Sequence, residues 1–136
     1  MRTMPKMTSA SESYTEPVSK LLALGRPEPR SARQRRWRDY HTLGLTEDHV
    51  AELIQMATDE ALNHSDAVWA PLHAWRAIGQ IRATEAIEPL LRLTETYIDD
   101  DRLAYELPIV FAMIGAETLP HLQAFWPTAA AIWARD

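Results

Sequence analysis

The side chains with most capacity for chemistry fall on one strip of a single predicted helix. His73, Arg76 and Gln80 recur at i, i+3 and i+7, which puts a titratable ring, a cation and an amide in line on an otherwise apolar segment. On the concave side of a helical stack, such a strip would contact a partner. As a solvated seam it would only let His73 bond to a neighbouring helix. A second group is the arginine run Arg30, Arg33, Arg35, Arg36 and Arg38, interleaved with Trp37 and close to Tyr40. Guanidinium groups neutralise phosphates, and aromatic rings stack on bases. The competing reading is a loop that pairs with acidic groups elsewhere in the chain, and the segment carries no recognised nucleic-acid motif.

Other chemistries find little support. The histidines at 41, 49, 64, 73 and 121 include no His-Glu dipeptide. Asp99-Asp100-Asp101 lacks the alternating spacing and glycine of a calcium loop, so helix capping is its expected role. Ser65 lies between His64 and Asp66, and three adjacent residues cannot converge as a catalytic triad. There is no glycine-rich phosphate loop. With no cysteine, disulfides and thiolate metal sites are excluded. The expectation is a chain without catalytic residues, metal or cofactor.

Composition sets the frame for these side chains. The 136 residues, 46% of them apolar, suit one domain with a true core. Residues 1–43 hold nine Lys/Arg against four Asp/Glu, whereas residues 44–136 hold five against fifteen. A basic leader therefore precedes an acidic body, which disfavours a phosphate-binding body surface. No stretch approaches the roughly 18 apolar residues that a membrane span requires. Residues 1–13 lack the apolar core of a secretory signal, so a cytoplasmic location is expected.

Apolar spacing predicts helices and no strands. A short helix is expected over 16–24. A second should run from the N-cap Thr46 to about Leu62, with Val50, Leu53, Ile54, Ala57 and Ala61 on its inner face. Further helices follow over about 68–80, 85–97 and 102–114, and a last one begins near Thr118 and ends before Pro127. Thr84 is the expected cap of the 85–97 helix. Pro71, Pro89, Pro108 and Pro120 are expected in early turns, where a missing N–H costs least. Trp37, Trp69 and Trp75 read either as core or as stacking platforms.

One pattern recurs through these helices. His49-Val50-Ala51-Glu52-Leu53-Ile54, Ala86-Ile87-Glu88-Pro89-Leu90-Leu91 and Thr118-Leu119-Pro120-His121-Leu122-Gln123 begin 37 and then 32 residues apart. Ile78-Gly79 and Ile114-Gly115 close the segments before the second and third copies, and Leu43-Gly44 precedes the first. Self-similarity of this period predicts a solenoid of helix pairs. The stretch from His73-Ala74 through Arg76-Ala77 and Gly79 to Ala86-Ile87 and Pro89-Leu90-Leu91 resembles a HEAT-like repeat of the phycobilisome-lyase type. More broadly, Trp37 to Phe125 is similar to a bacterial family of HEAT-repeat proteins, through Trp37, Asp39-Tyr40, Gly44-Leu45-Thr46, Glu52-Leu53-Ile54, Met56-Ala57 and Asp59.

The resemblance implies an all-α fold, an α-solenoid of HEAT-like antiparallel helix pairs. Residues 1–13 are expected to be disordered, 14–43 to form a basic entry segment, 44–126 the repeats, and 127–136 the start of an unfinished repeat. Ile132-Trp133-Ala134-Arg135 resembles the repeat opening Val68-Trp69-Ala70 and suggests a family member truncated at its C-terminus. An open stack would expose Trp126 and Trp133 and offer a surface for self-association. The favoured function is a non-enzymatic scaffold that binds another protein. The resemblance also leaves open a bilin-lyase-like chaperone or lyase subunit, and a nucleic-acid-binding HEAT protein using Arg26–Arg38. Fold likeness alone transfers none of these activities.

Overall fold

Side-chain caps begin several of the helical segments. The computed structural model describes residues 14–27, 37–97 and 99–125. The Thr46 hydroxyl accepts from the Asp48 N–H at 3.2 Å, while His49 Nδ1 accepts from the Thr46 N–H at 3.0 Å. This reciprocal cap starts a 3-10 turn, Glu47–His49, that runs into helix α1, Val50–Ala57. The expected continuation to Leu62 does not occur. The Thr58 hydroxyl closes α1 on the Ile54 carbonyl at 2.9 Å, and the Asp59 carboxylate caps a separate 3-10 helix, Glu60–His64, through the Ala61 N–H. Short polar side chains compete here with the helical ladder and win.

Helix α2, Ala70–Ile81, takes Pro71 in its first turn, where the absent N–H has no intrahelical partner to lose. It ends on Arg82 in the left-handed region, φ 64°. Thr84 does not cap the next helix: it lies within a 3-10 turn, Thr84–Ala86, and helix α3, Ile87–Thr96, starts after Ala86 without a side-chain cap. Asp100 does cap helix α4, Asp101–Ile114, accepting from the Arg102 and Leu103 N–H groups. Pro108 departs from expectation, sitting in the interior of α4 instead of its first turn. Helix α5, Thr118–Phe125, follows. The expected 16–24 helix is a 3-10 helix, Val18–Ala23. The described residues contain five α-helices and several 3-10 turns, with no strand, so the described part of the chain is all-helical.

The helices pack in two alternating sets. α2 lies against α1 on one side and α4 on another, while α3 neighbours both α1 and α5. Leu53, Met56, Ile78, Ile87, Leu90, Leu91, Leu107 and Val110 close the space between the sets, all buried. Each such side chain contributes roughly 1.5–3 kcal/mol on leaving water. Val18–Ala23 and a 3-10 helix over Tyr40–Leu43 pack on the remaining side of α2. The leader is tied to α1 as well: the Tyr14 hydroxyl donates to Asp59 at 2.7 Å, and the N–H and hydroxyl of Thr15 donate to the Glu52 carboxylate at 2.8 and 2.6 Å.

The two hydrophobic-Gly pairs do different jobs. At Gly79, a Cβ would meet Met113 Sδ at 3.3 Å and the Val110 backbone at 3.4 Å, so the missing side chain lets α2 and α4 approach closely. Gly115 terminates α4 at φ 108°, a region that costs a side-chain-bearing residue strain. Among the described residues, no helix is long and apolar enough to cross a membrane.

Candidate functional site

The strip His73, Arg76, Gln80 faces inward, where it holds the leader against α2. His73 is only 2% exposed. Its Nε2 lies 2.8 Å from the Gly25 carbonyl oxygen, which can only accept, so Nε2 carries the proton. Nδ1 of the neutral ring is then the acceptor for the Tyr40 hydroxyl at 2.6 Å. The two rings meet edge to face, with centroids 5.7 Å apart. Burial holds the His73 pKa below the ordinary histidine value, with the nearby Arg76 and Arg38 charges adding to that and the Gly25 carbonyl opposing it. Burial likewise pushes the Tyr40 phenol up to about 12, so it stays a protonated donor.

Arg76 is held from both sides. Its Nε and Nη2 donate to the two carboxylate oxygens of Glu106 at 2.8 and 2.5 Å, and the indole N–H of Trp75 adds a third bond to the same carboxylate at 2.9 Å. The guanidinium carbon sits 4.7 Å from the centroid of the Trp37 ring. Burial works against the Arg76 charge, and the Glu106 carboxylate more than offsets it, leaving the pKa raised. Gln80 completes the strip: its carbonyl accepts from the Tyr40 N–H and its amide donates to the Arg38 carbonyl, both at 2.8 Å. One side chain thereby satisfies backbone groups of residues 38 and 40 that would otherwise need water.

Chemically, the titratable and charged groups of this assembly engage one another or the Gly25 carbonyl. Both imidazole nitrogens are bonded, the phenol is a donor, and the ion pair is closed on itself. Among the described residues, no three His, Cys, Asp or Glu side chains gather as a metal site. Ser65 serves a turn, donating to the Leu62 carbonyl and accepting from the Ala67 N–H, each at 3.0 Å.

The sequence-predicted contact residues thus divide. Trp37, Tyr40, His73, Arg76 and Gln80 come together in the seam, and Arg38 joins through its backbone while its side chain is exposed. Trp75 is core, and Trp69 is half-buried, with the Arg102 guanidinium 5.0 Å above its ring. Arg33, Arg35, Arg36, Trp126, Trp133 and the Ile132–Arg135 motif lie outside the described residues. Glu106 escaped the sequence reading, although a lone acid between Leu103, Leu107 and Val110 was a usable signal: a carboxylate on an apolar face needs a partner.

A cleft of about 120 Å³ opens beyond the seam. Pro71, Leu72, Trp75, Leu93 and Leu103 line it together with Asp59, Glu60, Tyr97, Asp100 and Arg102. Asp59 and Asp100 are already engaged as caps.

Comparison with family models, with curated proteins and with solved structures finds no match to this chain.

Proposed function

We propose that the chain is a non-enzymatic helical-repeat module, an α-solenoid of HEAT-like helix pairs, whose outer helix faces bind another protein. One observation carries the reading: the side chains with chemical capacity on α2 are consumed by contacts within the chain. What remains for an external partner is surface. The alternation of α1, α3, α5 with α2, α4 supports the repeat. Nucleic acid is the less favoured partner, because residues 44–136 carry fifteen carboxylates against five cations and Arg76 is neutralised by Glu106.

The test is capture from lysate of the source cells, followed by reconstitution with the purified candidate. A stoichiometric complex from two purified proteins supports the reading. Turnover of a small molecule by the isolated chain, or capture dominated by salt-sensitive nucleic acid, would sink it.

A further inference from the structure

α4 carries a face that nothing in the described structure covers. Ala104, Tyr105, Pro108 and Ala112 are exposed on one side of this helix, with Ile109 and Met113 half-buried at the margin. Tyr105 is 65% exposed, the largest exposure of any big apolar side chain among the described residues. Contiguous apolar surface of this kind marks a contact site more often than an ordinary solvated helix.

The internal repeat says what shape of object fits there. α2 and α4 align at an offset of 36 residues, which pairs Trp75 with Phe111, Ile78 with Ile114 and Gly79 with Gly115. Arg76 and Gly79 are among the α2 residues against which α4 packs, Arg76 together with Trp75 through Glu106, and Gly79 through Val110 and Met113. Their counterparts on α4 are Ala112 and Gly115. Ala112, on the exposed face, therefore stands where α2 places one of the residues that grip α4. At that position the face offers a methyl group where α2 has a guanidinium, so its occupant must bring apolar side chains and cannot rely on an ion pair in the centre.

Charge selects the flanks. Asp99, Asp101 and Glu117 are exposed at the two ends of the stripe, and residues 103–125 contain no Lys or Arg. The one cation at that end, Arg102, stacks on Trp69 and pairs with Asp100 at 3.6 Å. We infer that the outer face of α4 is a docking surface for an amphipathic helix of a partner protein, its apolar side bordered by Lys or Arg. This deepens the interaction reading above and rests on it.

The full chain is titrated with a synthetic helical peptide of about 14 residues, matching the ~1.5 Å per residue rise of α4, with an Ala/Leu face bordered by lysines. A glutamate-bordered version serves as control. The lysine peptide should bind saturably, shift the amide resonances of Ala104, Tyr105 and Ala112, and lose at least ~10-fold in affinity with Ala112→Glu or Tyr105→Ala. Both positions are exposed, so the circular dichroism and melting of the variants should match the parent. Absence of binding, equal binding of the glutamate peptide, or binding that ignores both substitutions overturns the proposal. So does binding that appears only after residues 126–136 are removed, since the chain's own segment would then hold the face. A dimer dissociated by Ala112→Glu overturns it too, by assigning the face to a second copy. If a reconstituted protein complex survives Ala112→Glu, the interaction reading stands and this surface falls. Failure to find any protein partner sinks both.

Discussion

The Nδ1 of His73 and the hydroxyl of Tyr40 lie 2.6 Å apart across 33 residues of sequence, buried between α2 and the leader. With Nε2 bonded to Gly25, the imidazole is a rivet through two separate pieces of leader. Its neutral form is the one this geometry uses, and that ties the attachment of the leader to pH.

The sign of that linkage is set by the direction of the His73 shift. Its pKa is lower in the folded protein than in the unfolded chain, so the unfolded chain takes up the proton first as pH falls. Stability should therefore drop as pH descends below about 6.5, the ordinary histidine value, and level off once the folded form is also protonated. Urea midpoints measured from pH 7.5 to 5 should fall more steeply for the parent than for His73→Gln, which has nothing to titrate there. Parallel profiles would show that His73 does not control the effect.

Tyr40→Phe keeps the ring and removes the donor, leaving a buried imidazole nitrogen without a partner. The expected cost is ~1–3 kcal/mol, read as a lower denaturant midpoint at unchanged slope. An unchanged midpoint would mean that water replaces the hydroxyl.

Glu106→Gln removes the counterion of Arg76 in a setting where the side chains of both are about a tenth exposed. Breaking such a pair from one side should cost ~3–5 kcal/mol, whereas replacing both members, Arg76→Met with Glu106→Leu, should recover most of it. Thermal melts of the parent, Glu106→Gln and the double variant decide the matter. A double variant as unstable as Glu106→Gln would deny the pair this role.

Gly79→Leu should force α2 from α4, because Val110 meets that position through its backbone as well as its side chain. A loss of ~1–3 kcal/mol or more is expected, seen in chemical denaturation. Partial relief by Met113→Ala would identify the flexible thioether as one of the two obstacles.

Much of the helical plan was readable from spacing. The caps Thr46 and Asp100 act as expected, and Val50, Leu53 and Ala57 of the expected inner face of α1 are buried, whereas Ile54 is half-buried, Ala61 is exposed beyond the helix and Met56 takes a buried place. The misreadings are equally local. Asp59 cut α1 short by capping a new turn, Thr84 was absorbed into a 3-10 turn, and Pro108 lies in the interior of α4. The first two turned on a competition between near-equal local bonds, which periodicity alone does not rank.

By itself the sequence determined an all-helical chain, the strip of His73, Arg76 and Gln80, and the small residues Gly79 and Gly115, because helix geometry depends on neighbours within a turn or two. Only the tertiary structure decided what those residues meet. The partners of the strip lie 30 to 48 positions away, and one of them is the backbone of Gly25, which no residue type advertises. Packing also gave two similar Ile-Gly pairs different work, a close helix crossing at Gly79 and a left-handed stop at Gly115. Local preference orders a helix, but which face is spent internally and which stays open follows from where neighbouring helices come to rest.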